Sequence, residues 1–310
     1  MQNTIVDIGS ISVLHDFYGC SKPKHPLITV IDLATVDRSG MPAGETFYRL
    51  GFYTIFCKTF KGALKYGKSY YDFDEGSLMC TAPHQVIAIG PDLHATEGWG
   101  LFFHPDLLNR SSLGRKIDSY SFFLYDANEA LHMSDEEKRL ISDVVGNIQR
   151  EYSQNIDQHT QGLIQNNLEL LLNYCSRFYD RQFFSRAKVN NDLVQSFEGL
   201  LKEYFSRDNL IETGLPDVKY FATRLNLSPH YLSDLLKRYT GKTTQEHIHL
   251  QLIERAKSLL WGSEKSISEI AYELGFEHPS HFTKIFRTKT GKSPTAFRYP
   301  DPRGHADERP

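Results

Sequence analysis

Residues Ser266–Tyr299 read SISEIAYELGFEHPSHFTKIFRTKTGKSPTAFRY. The opening Ser266 and Glu269 form a capping box, in which each side chain satisfies the other's orphan backbone donor. Ile267, Ile270, Ala271 and Leu274 then recur at helical spacing, leaving Ser268, Glu269, Tyr272 and Glu273 on a polar face. Gly275 stands where a tight inter-helix turn needs positive φ. Pro279 falls at the start of a second helix, the position that tolerates a missing N–H. In that helix Phe282, Ile285 and Phe286 make the inward side, and Ser280, Thr283, Lys284 and Arg287 the outward one. Such a pair of helices is a helix-turn-helix, whose second helix fits the major groove of double-stranded DNA. Taken alone, the same pattern describes an ordinary helical hairpin.

The pattern occurs twice. Val218–Lys242, VKYFATRLNLSPHYLSDLLKRYTGK, lies 49 to 50 positions upstream of the second copy. Val218, Phe221, Ala222 and Leu225 match Ile267, Ile270, Ala271 and Leu274. Asn226 replaces Gly275, and asparagine tolerates the left-handed region better than other non-glycine residues. Ser228 is the expected N-cap and Pro229 the first helical residue. Leu232 and Leu236 match Phe282 and Phe286, and Thr240-Gly241-Lys242 matches Thr290-Gly291-Lys292. The outward set of this copy is His230, Ser233, Asp234 and Lys237. Asp234 either accepts from a cytosine amino group or pairs with Arg238 one turn on. Between the copies, Thr243 and Glu246 form a capping box, and Ile248, Leu252, Ala256 and Leu259 continue one stripe to Trp261. A single linker helix would hold two reading heads on successive major grooves, about 34 Å apart on one face of DNA.

Residues from about 190 to 298 resemble the DNA-binding domain of AraC/XylS-type transcriptional regulators. The stretches that carry the resemblance are LSPHYLSDLLKRYTGK and ISEIAYELGFEHPSHFTKIFRTKTGKSPTAFR. The resemblance implies an α+β chain with a cupin-like sensing and dimerisation domain over 1–187. An all-α domain with two helix-turn-helix units would follow over 188–300; the tail over 301–310, with no apolar residue beyond one alanine and its prolines, is expected to be disordered from its composition. The resemblance further implies promoter or operator DNA as partner, a small-molecule effector, a homodimer, and RNA polymerase among the contacts.

Composition sets bounds. The 310 residues have room for two domains. Residues 1–187 carry 17 Lys+Arg against 22 Asp+Glu, and residues 188–298 carry 16 against 13. A mildly basic C-terminal domain suits a focused DNA-binding patch, although the difference is small enough for ordinary scatter. Cys20, Cys57, Cys80 and Cys175 are dispersed and form no Cys-x-x-Cys, which suits a reducing cytosol and speaks against a zinc ribbon. No signal peptide and no 18-residue apolar stretch is visible, so a cytoplasmic protein without a membrane span is expected.

From Leu27 to His104 the signals are strand and turn: Pro26–Ile31, Phe52–Phe56, Ser69–Phe73, Ser77–Thr81, Val86–Ile89 and Trp99–His104, with a turn at Asp74-Glu75-Gly76. Many short strands predict a small β-barrel or jelly roll. YDFDEGSLMCTAPHQV is similar to stretches of the cupin-like sensing domains of the same family. His84, His94 and His104 lack the close spacing of a metal-binding cupin, so no metal and no cofactor is expected. The aromatics from Phe47 to Phe73 either line an effector pocket or fill the barrel.

Ser134 and Glu137 open a helix to about Tyr152, and a second is expected from Ile156 to Arg181. Its Ile164, Leu168, Leu171, Cys175 and Phe178 form an a/d seam, either packed on the chain's own barrel or serving as a dimer contact. Gln182–Asn190 is expected to be a linker, with Phe183 and Phe184 as anchors, ahead of a helix over Asn191–Phe205. The leading reading is a sequence-specific transcription factor. The alternative is a cupin-type metal-dependent enzyme fused to a DNA-binding domain, for which neither a metal triad nor paired acid/base residues are found.

Overall fold

The early aromatic and β-branched runs do form strands. The computed structural model describes residues 5–36, 46–60, 63–66, 69–72, 77–89, 95–126, 129–206 and 210–299. Asp74-Glu75-Gly76, His94 and the tail from Pro300 lie outside them. The chain divides into two compact units, Met1–Arg186 and Ala187–Pro310.

The first unit runs β1 (Ile5–Ile8), α1 (Ile11–Phe17), β2 (Ile28–Asp32), β3 (Thr46–Leu50), β4 (Tyr53–Phe60), β5 (Ala63–Tyr66) and β6 (Ser69–Asp72). It continues with β7 (Ser77–Thr81), β8 (Val86–Ile89), β9 (Ala95–Phe103), α2 (Ser112–Lys116), β10 (Leu131–His132), α3 (Asp135–Ser153) and α4 (Thr160–Ser185). β1, β3 and β8 make one sheet, β10-β7-β4-β9-β2 a second, and β5-β6 a separate ribbon. Among the described residues only the β1–β3 pairing is parallel.

The expected closed barrel is corrected to open sheets among the described residues. The chain leaves one sheet for the next at Gly51, whose N–H donates to the Ile8 carbonyl at 2.9 Å. A Cβ there would meet the Gly9 carbonyl oxygen at 3.1 Å. The two larger sheets share a core of Ile8, Leu14, Ile31, Leu50, Phe52 and Phe102. The Phe102 ring meets those of Phe52 and Phe56 edge-on at 5.8 and 5.3 Å. These aromatics therefore fill the interior, as does Tyr48.

His104 caps a 3-10 turn, its ring accepting from the Asp106 N–H at 3.2 Å. His84 is exposed with φ 65°, and its N–H donates to the Leu50 carbonyl. No group of three or more His, Cys, Asp or Glu among the described residues could hold a metal ion.

The helical part follows its caps. Both bonds of the Ser134–Glu137 capping box are made. α4 starts at Thr160, later than Ile156, because Asp157 accepts from the His159 and Thr160 N–H groups and sets the turn there. Its seam residues Ile164, Leu168, Leu171, Cys175 and Phe178 are all buried within the first unit. α4 also continues through the expected linker to Ser185. Buried Gln182 accepts from His132 N–H at 2.8 Å and donates to the Ala130 carbonyl at 3.2 Å. Phe183 is buried beside it, whereas Phe184 is 82% exposed and anchors nothing.

The second unit is all helix: α5 (Ala187–Ser206), α6 (Leu210–Thr213), α7 (Val218–Leu225), α8 (Pro229–Thr240), α9 (Thr244–Gly262), α10 (Ile267–Glu273), α11 (Pro279–Thr290) and α12 (Pro294–Arg298). Its core is built from Phe197, Phe221, Leu232, Leu236, Leu252 and Phe282, all fully buried. No helix of the described residues is long and apolar enough to cross a membrane.

Candidate nucleic-acid interface

The two helix pairs repeat each other's turn and C-terminal bonds, although their N-terminal caps differ: Ser228 caps α8 through its side chain and His278 makes no such bond to α11. Asn226 ends α7 in the left-handed region at φ 54°, ψ 44°, and Gly275 follows α10 at φ 85°. Each turn closes alike: Leu227 N–H donates to the Ala222 carbonyl at 2.9 Å, and Phe276 N–H to Ala271 at 3.0 Å. α8 and α11 both begin on proline and end on a glycine at φ 75°. In the last turns Thr240 donates to the Leu236 carbonyl at 2.7 Å, and Thr290 to Phe286 at 2.8 Å. The lysine N–H that follows each glycine donates back to that same threonine hydroxyl at 3.3 Å.

α9 separates the two pairs. Its 19 residues span about 28 Å at 1.5 Å per residue. The Thr243–Glu246 capping box starts it, and the Thr243 backbone N–H bond holds the Glu246 carboxyl below the usual carboxylate range. Ile248, Leu252, Ile253, Ala256 and Leu260 are its buried stripe, so the last turn is anchored by Leu260 where Leu259 was expected. At its other end, Arg298 Nε donates to the Leu260 carbonyl at 3.0 Å, and exposed Trp261 stacks on Phe297 at 5.1 Å.

Of the outward residues of α11, Ser280, Lys284 and Arg287 are exposed. Thr283 is half-buried and donates its hydroxyl to the Pro279 carbonyl at 3.1 Å. Ile285 is half-buried, which corrects its inward assignment; Phe282 and Phe286 alone of the three are core. On α8, His230 and Lys237 are exposed, and Ser233 and Asp234 half-buried. The Ser233 hydroxyl is hydrogen-bonded to that of buried Thr244 at 3.1 Å, tying α8 to α9. His281, on the first turn of α11, and Thr288 are exposed as well and extend the outward set. A helical count from Phe282 and Phe286 puts both on the exposed side.

An open groove of about 1320 Å³ runs along one flank of α11, against α9, α6 and the α10–α11 turn. Its α11 wall is His281, Lys284, Ile285, Thr288 and Lys289. Gly275 lies at its floor, where a Cβ would come within 2.8 Å of the Leu210 carbonyl oxygen and 2.9 Å of the Gly214 carbonyl carbon. This close approach packs the α10–α11 turn against α6 and Gly214 and is a second reason for glycine beyond its φ.

A family model described as a helix-turn-helix domain matches residues 221–299. An uncharacterised HTH-type transcriptional regulator in the cgkA 5' region of Pseudoalteromonas carrageenovora is 31% identical over 113 residues, covering 36% of this chain and 63% of its own. The HTH-type transcriptional activator RhaS of Salmonella schwarzengrund is 29% identical over 133 residues, covering 43% and 45%. Residues 221–299 form a helix-turn-helix domain, and both relatives are transcriptional regulators of the HTH type. A solved transcriptional regulator of Chromobacterium violaceum, titled as containing an AraC-type DNA-binding domain, is 26% identical over 29% of this chain and 83% of that one, with a TM-score of 0.26. The likeness to the two regulators covers only part of each, about half to two thirds of their length.

Proposed function

We propose that this chain is a sequence-specific regulator of transcription that binds double-stranded DNA and has no enzymatic role. The observation that carries the reading is the duplication of a helix-turn-helix, with the same turn and C-terminal bonds, on one linker helix, with α8 and α11 presenting His230, Lys237, Ser280, Lys284 and Arg287 to solvent. Asp234, half-buried, is assigned a supporting role in α8, and Ser233 and Thr283 a backbone- or helix-tying one. Hydroxyl-radical footprinting of the whole protein on a duplex selected from random DNA tests this. The N-terminal unit, 1–187 in this reading, is assigned effector sensing in a cytoplasmic regulator. Its two facing sheets stand in for the cupin-like barrel, and RNA polymerase is the protein-side contact.

The homodimer contact has to move. The seam of α4 is occupied by its own unit, so burying it against a second copy would require opening the core. Leu163 and Leu170, one heptad apart on a flank of α4 beside the seam, are each 43% exposed, and we assign the contact to them. Leu170→Asp is expected to shift the protein from dimer to monomer in analytical ultracentrifugation with little change in melting temperature. Leu168→Asp, by contrast, places a charge in the core and should unfold the unit. A Leu170→Asp protein that stays dimeric would reject this face.

A further inference from the structure

The repeat permits the two recognition helices to be compared position by position, and they are unequal. Tyr231 of α8 aligns with His281 of α11; Tyr231 is buried and His281 exposed. Leu235 is fully buried, whereas its counterpart Ile285 is half-exposed on the groove wall. Asp234, half-buried, aligns with exposed Lys284. The hydroxyls at a fourth compared position are tied in both copies, Ser233 to Thr244 and Thr283 to the Pro279 carbonyl.

In the first two turns, the part of a recognition helix that enters the groove deepest, α11 therefore offers Ser280, His281 and Lys284. α8 offers His230, with the Asp234 carboxylate partly withdrawn and repelled by phosphate. Lys237 and Arg238 of α8 lie further along, where a cation meets the backbone more readily than a base edge.

Resting on the DNA-binding reading above, we propose that the second helix-turn-helix carries most of the base discrimination, that the first serves chiefly as a phosphate anchor, and that His281 reads a base. A neutral imidazole has one donor and one acceptor, and its N–H can meet the O6 or N7 of guanine in the major groove. His281 sits on the first turn beside Ser280 and is flanked on the groove wall by Lys284.

The test is selection of the full-length protein on a random duplex library, repeated with His281→Ala and His281→Asn. Selection should yield one half-site with several strongly specified base pairs and a second with weak preference. His281→Ala should erase preference at one pair of the strong half-site, by on the order of tenfold, while binding to random DNA and the melting temperature stay unchanged. His281→Asn should move that preference towards adenine, the base that a carboxamide recognises. Two half-sites specified alike would overturn the asymmetry. An affinity loss in His281→Ala that is equal on every sequence would remove His281 as a reader. If the wild type enriches no sequence at all, the DNA-binding reading itself fails and this inference falls with it.

Discussion

Gly275→Val is expected to destabilise the C-terminal unit by about 3–5 kcal/mol and to abolish DNA binding through the fold. Two separate costs converge on this residue. At φ 85° a β-branched side chain sits in strained backbone space. Its Cβ would also press on the Leu210 carbonyl oxygen at 2.8 Å, and both neighbours are backbone atoms that cannot rotate away. Gly275→Ala should already carry most of the loss, because the collision begins at Cβ. Asn226→Gly, at the equivalent turn of the first pair, should change stability by less than about 1 kcal/mol, since both residues adopt the left-handed conformation. Denaturant unfolding of the whole protein, with hydrogen exchange of the α10 and α11 amides to localise the loss, measures both. A Gly275→Val protein as stable as wild type would refute the turn and the packing argument together.

Lys284→Ala and Arg287→Ala should fail in different ways. Both side chains are exposed on α11, Lys284 in its first half and Arg287 nearly a turn later. Lys284 can donate to guanine O6 and N7, so its loss should relax preference at one base pair by about 1–3 kcal/mol and leave other positions alone. With Arg287 assigned to the phosphate backbone, its loss should weaken binding to all duplexes and reduce the salt dependence by about one unit of slope. Affinities on a panel of single-base variants at several salt concentrations separate the two. A uniform loss for Lys284→Ala would make that residue a phosphate clamp.

The elements set by local chemistry were legible in the chain. The Ser/Thr-x-x-Glu boxes at Ser134, Thr243 and Ser266 all form, and the prolines at 229 and 279 start their helices. Asn226 and Gly275 stand at positive φ because the turns that follow α7 and α10 need it. What escaped depends on distant partners. The strand Ile5–Ile8 lacks the bounding prolines that mark Val86–Ile89, and no local signal says that Gly51 turns the chain from one sheet into another. The α4 seam looks the same whether its partner is its own sheet or a second copy. Nor can periodicity tell that Ser233 is turned onto Thr244 rather than solvent, or that α6 passes over Gly275.

The central claim, that two reading heads are held at a fixed separation, is tested most directly by hydroxyl-radical footprinting of the full-length protein on a selected duplex. Two protected windows are predicted on one face of the DNA, one helical turn apart, about 34 Å, with protection at both lost together in Gly275→Val. Protection confined to a single window, or windows on opposite faces of the duplex, would contradict the account.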